Sequence, residues 1–459
     1  MISAKDVDLF RVYPDIDLAS GNGWFNWLVL NCHHLFIESC MSILRETKKY
    51  DVAVIGGGMV GISSALWLQK SGYSVCIIDR CSPGNSTASG SACTFADYAC
   101  IPINSPSLPF NVPAMVLSKN SPFAVKWNYI YRMFPWLSQF ISHCRPKEVT
   151  RIIDALAVLL SKAESGLMPL IEDAGAKDLI QRHGCLYLYN TEKGYRAANS
   201  DILARQERGV SLREVEAGEI YELEPSLTNI FYKGVFFDKS FQFLYPGKLI
   251  ERLTEHFVSQ GGAVLLENVK KLESSGDQNV RVQCENVEFL VQKSVVAAGA
   301  YSLDLLPSLV GKMPLDTERG YHIMLSAQNT SLSRPVGWAE KGFYMTPLSD
   351  QVRIAGTVEL GGLQKDYTES LMNYLERTAK IALPDLGVRQ SEWLGFRPSM
   401  PDALPVIGPS PQNKNIILAF GHQHVGLTLG GITGKVVSSI VEGKRPSFDL
   451  SPYSPKRFA

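Results

Sequence analysis

The chain lacks a surplus of charge: 45 Lys+Arg stand against 45 Asp+Glu in 459 residues. Without a basic excess it carries no electrostatic footprint for nucleic acid. It also lacks a CxxC pair. Of its nine cysteines, the nearest neighbours, Cys76 with Cys81 and Cys93 with Cys100, have no second half of a zinc spacing, so no metal is expected. The odd count argues against a complete disulfide framework, and the thiols are read as reduced and buried in a cytoplasmic protein. No uninterrupted apolar run approaches the ~20 residues of a spanning helix. The stretch from Trp24 to Leu44 is broken by Asn26, Asn31, His33, His34 and Glu38. Asp6, Asp8, Asp15 and Asp17 stand where a secretory signal would be positive. What is plentiful is core material: 45% of residues are hydrophobic and 20% charged, the composition of a folded chain. The length suits two large or three average domains.

Met41-Ser42-Ile43-Leu44-Arg45-Glu46-Thr47 opens a more conventional beginning than Met1. Residues 1–49 are read as an N-terminal extension, with residues 1–40 an upstream mis-start or a private addition, and an amphipathic helix packed on the domain or lying on a membrane surface as the alternative. Tyr50-Asp51-Val52-Ala53-Val54-Ile55 is then a short β-branched run that enters Gly56-Gly57-Gly58-Met59-Val60-Gly61, a GxGxxG. A helix is expected from Met59, with Val60, Ile62, Ala65, Leu66 and Leu68 on its apolar side and Gly72 as its stop. A second strand, Tyr73 to Ile78, ends in Asp79, close to the ~20-residue offset of an acid that binds a ribose. Gly56 suits the tight turn, Gly58 the approach of backbone N–H groups to a pyrophosphate, and Gly61 close strand–helix contact. Asp79 would repel a 2′-phosphate, which argues against NADP despite Arg80.

The sheet begun here is interrupted by a Ser/Gly/Pro-rich segment, Ser82 to Pro113. Gln292 to Ala300 reads as a buried strand closing on a glycine turn, a return to the same sheet. Asn415 to Phe420 is another, followed by Gly421-His422-Gln423-His424-Val425-Gly426-Leu427-Thr428 and a helix through Val441. The free N–H groups and positive dipole end at Gly426, Leu427 and Thr428 suit a group that gains negative charge. No second GxGxxG follows a strand, so nicotinamide is not expected as the electron partner.

The GxGxxG, the Val-Val-Ala-Ala-Gly-Ala return strand and the segment Gly395-Phe396-Arg397-Pro398 through Pro401-Asp402, Pro405 and Ile407-Gly408 resemble the D-amino acid oxidase superfamily of FAD-dependent amino-acid oxidoreductases, over about Lys49 to Pro446. Glu318-Arg319-Gly320-Tyr321-His322 and Gly356-Thr357-Val358-Glu359 resemble its branch of bacterial D-amino acid and D-hydroxyproline dehydrogenases. The resemblance implies an α/β fold, with a Rossmann-like FAD-binding domain of the GR2 type (50–100, 246–300 and 395–446) interleaved with an α+β substrate domain (101–245 and 301–394) on a mainly antiparallel sheet, and a tail at 447–459. It implies noncovalent FAD on Gly56, Gly58, Met59, Val60, Gly61, Asp79 and Arg80, with its flavin end near Ser89, Gly90, Ser91 and Ala92. Further contacts are implied from Val269, Ala298, Gly299, Gly421, His424, Gly426, Leu427 and Thr428. Thr87 to Cys93 departs from the Asn, Ala, Gly that many relatives carry after the serine.

On the substrate side the resemblance makes Arg397 the bidentate anchor of a substrate carboxylate, held between prolines, with an ion pair to Asp402 as the structural alternative. Tyr321 and His322 are candidates for the same pocket, and His422 and His424 for shaping the flavin loop. The aromatic-rich segment Ser121 to Cys144 is read as core under two helices, ahead of a helical span from Glu148 to Gly175. The implied reaction is hydride transfer from Cα of a small amino acid to the flavin, giving an imino acid and then a keto acid. Electrons would pass to a quinone or partner protein. A glycine- or sarcosine-type oxidase making hydrogen peroxide, and a non-catalytic flavin-fold subunit, are the alternatives. A homo-oligomer, a hetero-complex and a peripheral seat at the inner membrane are left open.

Overall fold

Val52–Ile55 is buried along its whole length, as expected for a β-branched strand covered on both faces. It lies inside a six-stranded sheet with the order Ala263–Leu266, Val75–Asp79, Val52–Ile55, Lys293–Val296, Ile416–Phe420, Val406–Pro409. The first five strands are parallel and the last is antiparallel. The computed structural model describes residues 49–109, 121–276, 278–306, 313–328 and 330–458. The expectations for residues 1–48 therefore lie outside the described residues.

The turn after the first strand feeds the helix Met59–Lys70. It ends where Gly72, at φ 89°, lets the Gly72 and Tyr73 N–H groups fold back onto the carbonyls of Gln69 and Leu68, a Schellman stop. The C-terminal helix Gly426–Val441 packs beside it through Gly434, where a Cβ would come within 2.5 Å of Ser63 backbone.

The second sheet has nine strands. Arg389–Ser399, Asp316–Ser326, Gln351–Leu360, Phe343–Leu348 and Val336–Trp338 run antiparallel in that order. Cys185–Tyr189 then joins in parallel and continues to Lys233–Phe237 and Arg213–Glu216. Phe123–Val125 pairs in parallel beside Gln351–Leu360. The helix Glu369–Ala382 closes the core on one face of this sheet.

Three differences from the sequence expectations follow from packing. Arg389–Ser399 carries residues 395–399 as part of the larger sheet, although 395–446 was assigned to the FAD-binding segment. The span from Glu148 is two helices, Pro146–Leu160 and Ala163–Asp173. Their apolar residues Ile152, Leu156, Leu167 and Leu170 join the core of the parallel sheet with Val54 and Ile62, rather than that of the antiparallel one. The aromatic segment forms Phe123–Val125 and a helix, Ile130–Ser142. Phe123, Tyr129 and Phe140 pack with the buried Trp136 in a small core, but Trp127, Tyr131 and Phe134 are 69%, 66% and 70% exposed, so only part of the segment is the aromatic core expected.

Candidate active site

The carboxyl ends of the parallel strands and one face of the antiparallel sheet line a cavity of about 1170 Å³. Ile55, Ile78, Ala297 and Phe420 contribute from the first side, and Gly320, Ala355, Trp393 and Arg397 from the second. A crevice at the carboxyl ends of parallel strands is where such sheets bind ligands.

At the nucleotide end, the Asp79 carboxylate accepts hydrogen bonds from Gly57 N–H at 2.6 Å and Cys81 N–H at 2.9 Å. Gly56, at φ 104°, presses on the return strand, where a Cβ would meet the Ala297 carbonyl oxygen at 2.4 Å. At Gly61 a Cβ would lie 1.8 Å from the Gly56 oxygen. Gly58 differs, because nothing lies nearer to its virtual Cβ than Ser86 Cβ at 3.8 Å. Gly58 is the N-cap of Met59–Lys70, and no side chain caps that helix. Open space before an uncapped helix start suits a pyrophosphate. Arg80 lies over the Tyr301 ring at 3.9 Å. Met59, Val60, Asp79, Arg80, Val269, Ala298 and Gly299 all line the cavity; Gly61 does not, in keeping with a packing role.

The segment Thr87 to Cys93 is clamped from three sides. Arg353 Nη1 donates to the Ser89 carbonyl at 2.8 Å, to the Ser91 carbonyl at 3.0 Å and to Cys93 Sγ at 3.1 Å. His322 Nδ1 lies 2.9 Å from the Gly90 carbonyl oxygen. Because a carbonyl only accepts, this nitrogen carries the proton. Trp393 stacks on His322 with ring centroids 5.2 Å apart and touches Gly90, where a Cβ would meet the indole at 2.2 Å. Gly90, Ser91 and Ala92 line the cavity, whereas Ser89 turns its hydroxyl to the Ser86 carbonyl.

Of Arg397, Tyr321 and His322, only Arg397 brings a charged group to the cavity. Its Nη1 donates to the Thr357 carbonyl at 3.0 Å, and among the described residues no carboxylate forms an ion pair with it. The alternative partner is engaged elsewhere: Asp402 pairs with Arg457 at 2.7 Å. Burial lowers the Arg397 pKa and the Glu318 carboxylate partly offsets this. Tyr321 contributes to the lining, but its hydroxyl donates to Glu359 Oε2 at 2.6 Å. That carboxylate also pairs with Arg319 at 3.0 Å and accepts from Thr368 Oγ1 at 2.7 Å. His322 does not line the cavity and serves the loop instead. The two are neighbours on one strand, so the pleat sends them to opposite faces.

The C-terminal loop adds His422, His424, Gly426 and Leu427 to the lining. Burial lowers the pKa of His422 to about 3; His424 is exposed within the cavity, and desolvation there together with the nearby Arg397 charge lowers its pKa to about 4. Both imidazoles are neutral. His422 Nε2 is 2.9 Å from Thr433 Oγ1. Gly421 and Thr428 lie outside the lining; Thr428 Oγ1 accepts from Ala96 N–H at 3.0 Å.

Sequence reasoning missed Glu318, Arg353, Thr357 and Trp393. Thr357 has φ 63°, rare for a β-branched residue. It sits in a bulge opposite Gly320, where the register moves from Arg319 against Glu359 to Tyr321 against Gly356. The bulge turns its carbonyl out of the ladder and onto Arg397. Its Oγ1 is buried without a partner.

A glycine cradle before an uncapped helix and a ribose-type acid suit a dinucleotide, and a half-buried guanidinium across the same cavity suits a carboxylate beside it. The chain belongs to the DAO family of FAD dependent oxidoreductases, whose family model matches residues 51–440. It is 32% identical to a D-amino-acid oxidase of Bradyrhizobium diazoefficiens over 423 residues, 89% of this chain and 98% of that protein. It is 27% identical to a D-amino acid dehydrogenase of Vibrio vulnificus over 408 residues, 85% of this chain and 96% of that one. Among solved structures, glycine oxidase from Geobacillus kaustophilus superposes with a TM-score of 0.70 at 23% identity, covering 90% of this chain and 99% of the other. Iminodiacetate oxidase from Chelativorans sp. BNC1 gives 0.67 at 21%, covering 88% and 98%. These two show the shared fold. FAD is the family's cofactor, and the open approach at Gly58 and the Asp79 carboxylate fit its nucleotide half. No helix among the described residues is long and apolar enough to cross a membrane.

Proposed function

We propose that this protein oxidises a small amino acid of the D-series type, with the substrate carboxylate held by Arg397. The observation that carries this reading is the Arg397 guanidinium itself: half-buried in the cavity wall, bonded to one backbone carbonyl, and free of any ion pair among the described residues. A half-buried cation without a counter-ion carries a desolvation cost, and a carboxylate that enters the cavity and accepts two parallel N–H bonds offsets it. FAD, when bound, supplies the hydride acceptor.

The residues of this chain then position and exclude. Arg353, His322 and Trp393 hold the Thr87 to Cys93 segment in one conformation, and the neutral His422 and His424 keep a second positive charge away from Arg397. Positioning of this kind supplies much of the rate in hydride transfers from amino acids. The relatives named D-amino-acid oxidase and D-amino acid dehydrogenase support the substrate class.

For the acceptor, the 32% identical relative is named an oxidase, which favours oxygen over the quinone or partner protein expected from the sequence. Stopped-flow reduction of the FAD-loaded protein with paired D- and L-amino acids tests the substrate. Reduction by no amino acid would overturn the reading. Hydrogen peroxide equal to the keto acid formed would identify an oxidase, and dye reduction without peroxide a dehydrogenase.

A further inference from the structure

Glu318 and Arg397 face each other in register on adjacent antiparallel strands, so their side chains leave the same face of the sheet. Both line the cavity. Opposite charges so placed ordinarily close into an ion pair, yet none joins them. The guanidinium lies instead across Gly320, where a Cβ would come within 2.4 Å of Nη2, and reaches the Thr357 carbonyl. Glu318 is left 4% exposed, and its Oε2 has no hydrogen-bond partner. The groups that act on its carboxylate are Arg397, the Ser399 hydroxyl and the Asp316 carboxylate, and burial is the largest influence, raising its pKa. The site thus holds a separated pair of opposite charges, Glu318 buried and Arg397 half-buried, each incomplete.

We propose that Glu318 receives the ammonium group of a zwitterionic α-amino acid whose carboxylate lies on Arg397. This rests on the amino-acid reading above and deepens it, since it names the group that selects an amine over other 2-substituted acids. An amino acid carries its two charges on one carbon and its neighbour, and it completes both side chains at once. A 2-hydroxy acid or a plain carboxylate satisfies Arg397 and leaves Glu318 without a cation. A site built around a polar group of its ligand discriminates strongly against analogues that lack that group, because its own partner is then stranded.

The test uses the full-length, FAD-loaded protein and two ligands followed by flavin absorbance: a D-amino acid that reduces the wild type, titrated under anaerobic conditions, and benzoate, a carboxylate without an amine. In Glu318→Gln the amino acid should lose roughly 10-fold or more in apparent affinity. Benzoate should bind as well as before or more tightly, because a repelling carboxylate has gone. Equal changes for both ligands, or no change for either, would overturn the proposal. Should Glu318→Gln fail to fold, Glu318→Asp, which keeps the charge but withdraws it by one methylene, should weaken the amino acid and spare benzoate. If no amino acid reduces the wild-type flavin, the amino-acid reading falls and takes this proposal with it. That result is distinct from a wild type that is reduced and a Glu318→Gln that matches it.

Discussion

Gly320 lies directly beneath the guanidinium of Arg397: a Cβ there would sit 2.4 Å from Nη2 and 2.5 Å from Cζ. The strand carrying Glu318 and Tyr321 must therefore offer a bare Cα at this one position for the arginine to lie flat. In Gly320→Ala the methyl group displaces the guanidinium from the Thr357 carbonyl. The apparent amino-acid affinity should fall on the order of 10-fold or more, as expected for a loosened charge-assisted pair. FAD content should stay near wild type, since the contact is at the substrate end. Steady-state KM with the flavin occupancy of the purified protein checks both; an unchanged KM would mean that the arginine has another seat.

Thr357 stores strain beside the same arginine. A non-glycine residue in the left-handed region costs ~1–3 kcal/mol, and the orphaned Oγ1 adds a desolvation cost. Thr357→Gly removes both and loosens only the backbone of the bulge. It should unfold at a higher temperature than wild type, by about 1 kcal/mol of added stability after the entropy of glycine is subtracted, while KM for the amino acid rises. Thr357→Asn, which tolerates the left-handed conformation, should retain more of the affinity than the glycine variant. Thermal melts and KM measured on the same preparations check the opposed signs.

The motif glycines should separate cofactor binding from folding. Gly58 has open space at its virtual Cβ, whereas a Cβ on Gly61 would strike the Gly56 carbonyl at 1.8 Å. Gly58→Val should fold with near-wild-type stability without cofactor and purify largely colourless, because the new side chain occupies the pyrophosphate approach. Gly61→Ala should be poorly soluble or strongly destabilised, since strand and helix must part. Flavin absorbance per mole of protein and circular dichroism distinguish the two outcomes. Full flavin retention in Gly58→Val would remove the nucleotide end from this loop.

Two buried histidines set an acid limit on stability. His322 is lowered to about 3 by burial, with the Arg353 charge adding to it, and His422 to about 3 by burial. In the unfolded chain each titrates near 6.5. Below that pH the unfolded state takes up protons that the folded state refuses. The stability each histidine contributes is therefore fully present above about pH 6.5 and is lost on acidification, by about 1.4 kcal/mol per pH unit per histidine, until the folded pKa is reached. Urea midpoints at pH 7.5, 6 and 5 should fall in that order. His422→Gln, which keeps a polar partner for Thr433, should flatten the slope.

The strand, glycine turn and helix from Val52 to Lys70, the stop at Gly72 and the acid at Asp79 were legible in the amino-acid order because each depends on neighbours a few residues away. The return strands Lys293–Val296 and Ile416–Phe420 were legible because a strand covered on both faces must be an apolar run. Arg397 was legible as a candidate, since the prolines around it form a local pattern. What the folded chain alone decided is which partners these residues meet. Nothing local says that Asp402 spends its charge on Arg457, which leaves Arg397 unpaired, or that Glu318 faces it from the adjacent strand. Tyr321 and His322 looked alike as pocket residues, and the pleat then sent one hydroxyl to Glu359 and one imidazole to the Gly90 carbonyl. The helices of residues 146–173 likewise went to the parallel sheet, because their apolar faces found Gly431 and Ile432 of the C-terminal helix at Gly166 and Leu167. Pairings of this kind depend on register and on which surfaces come to lie together, and those are properties of the closed core rather than of any window of sequence.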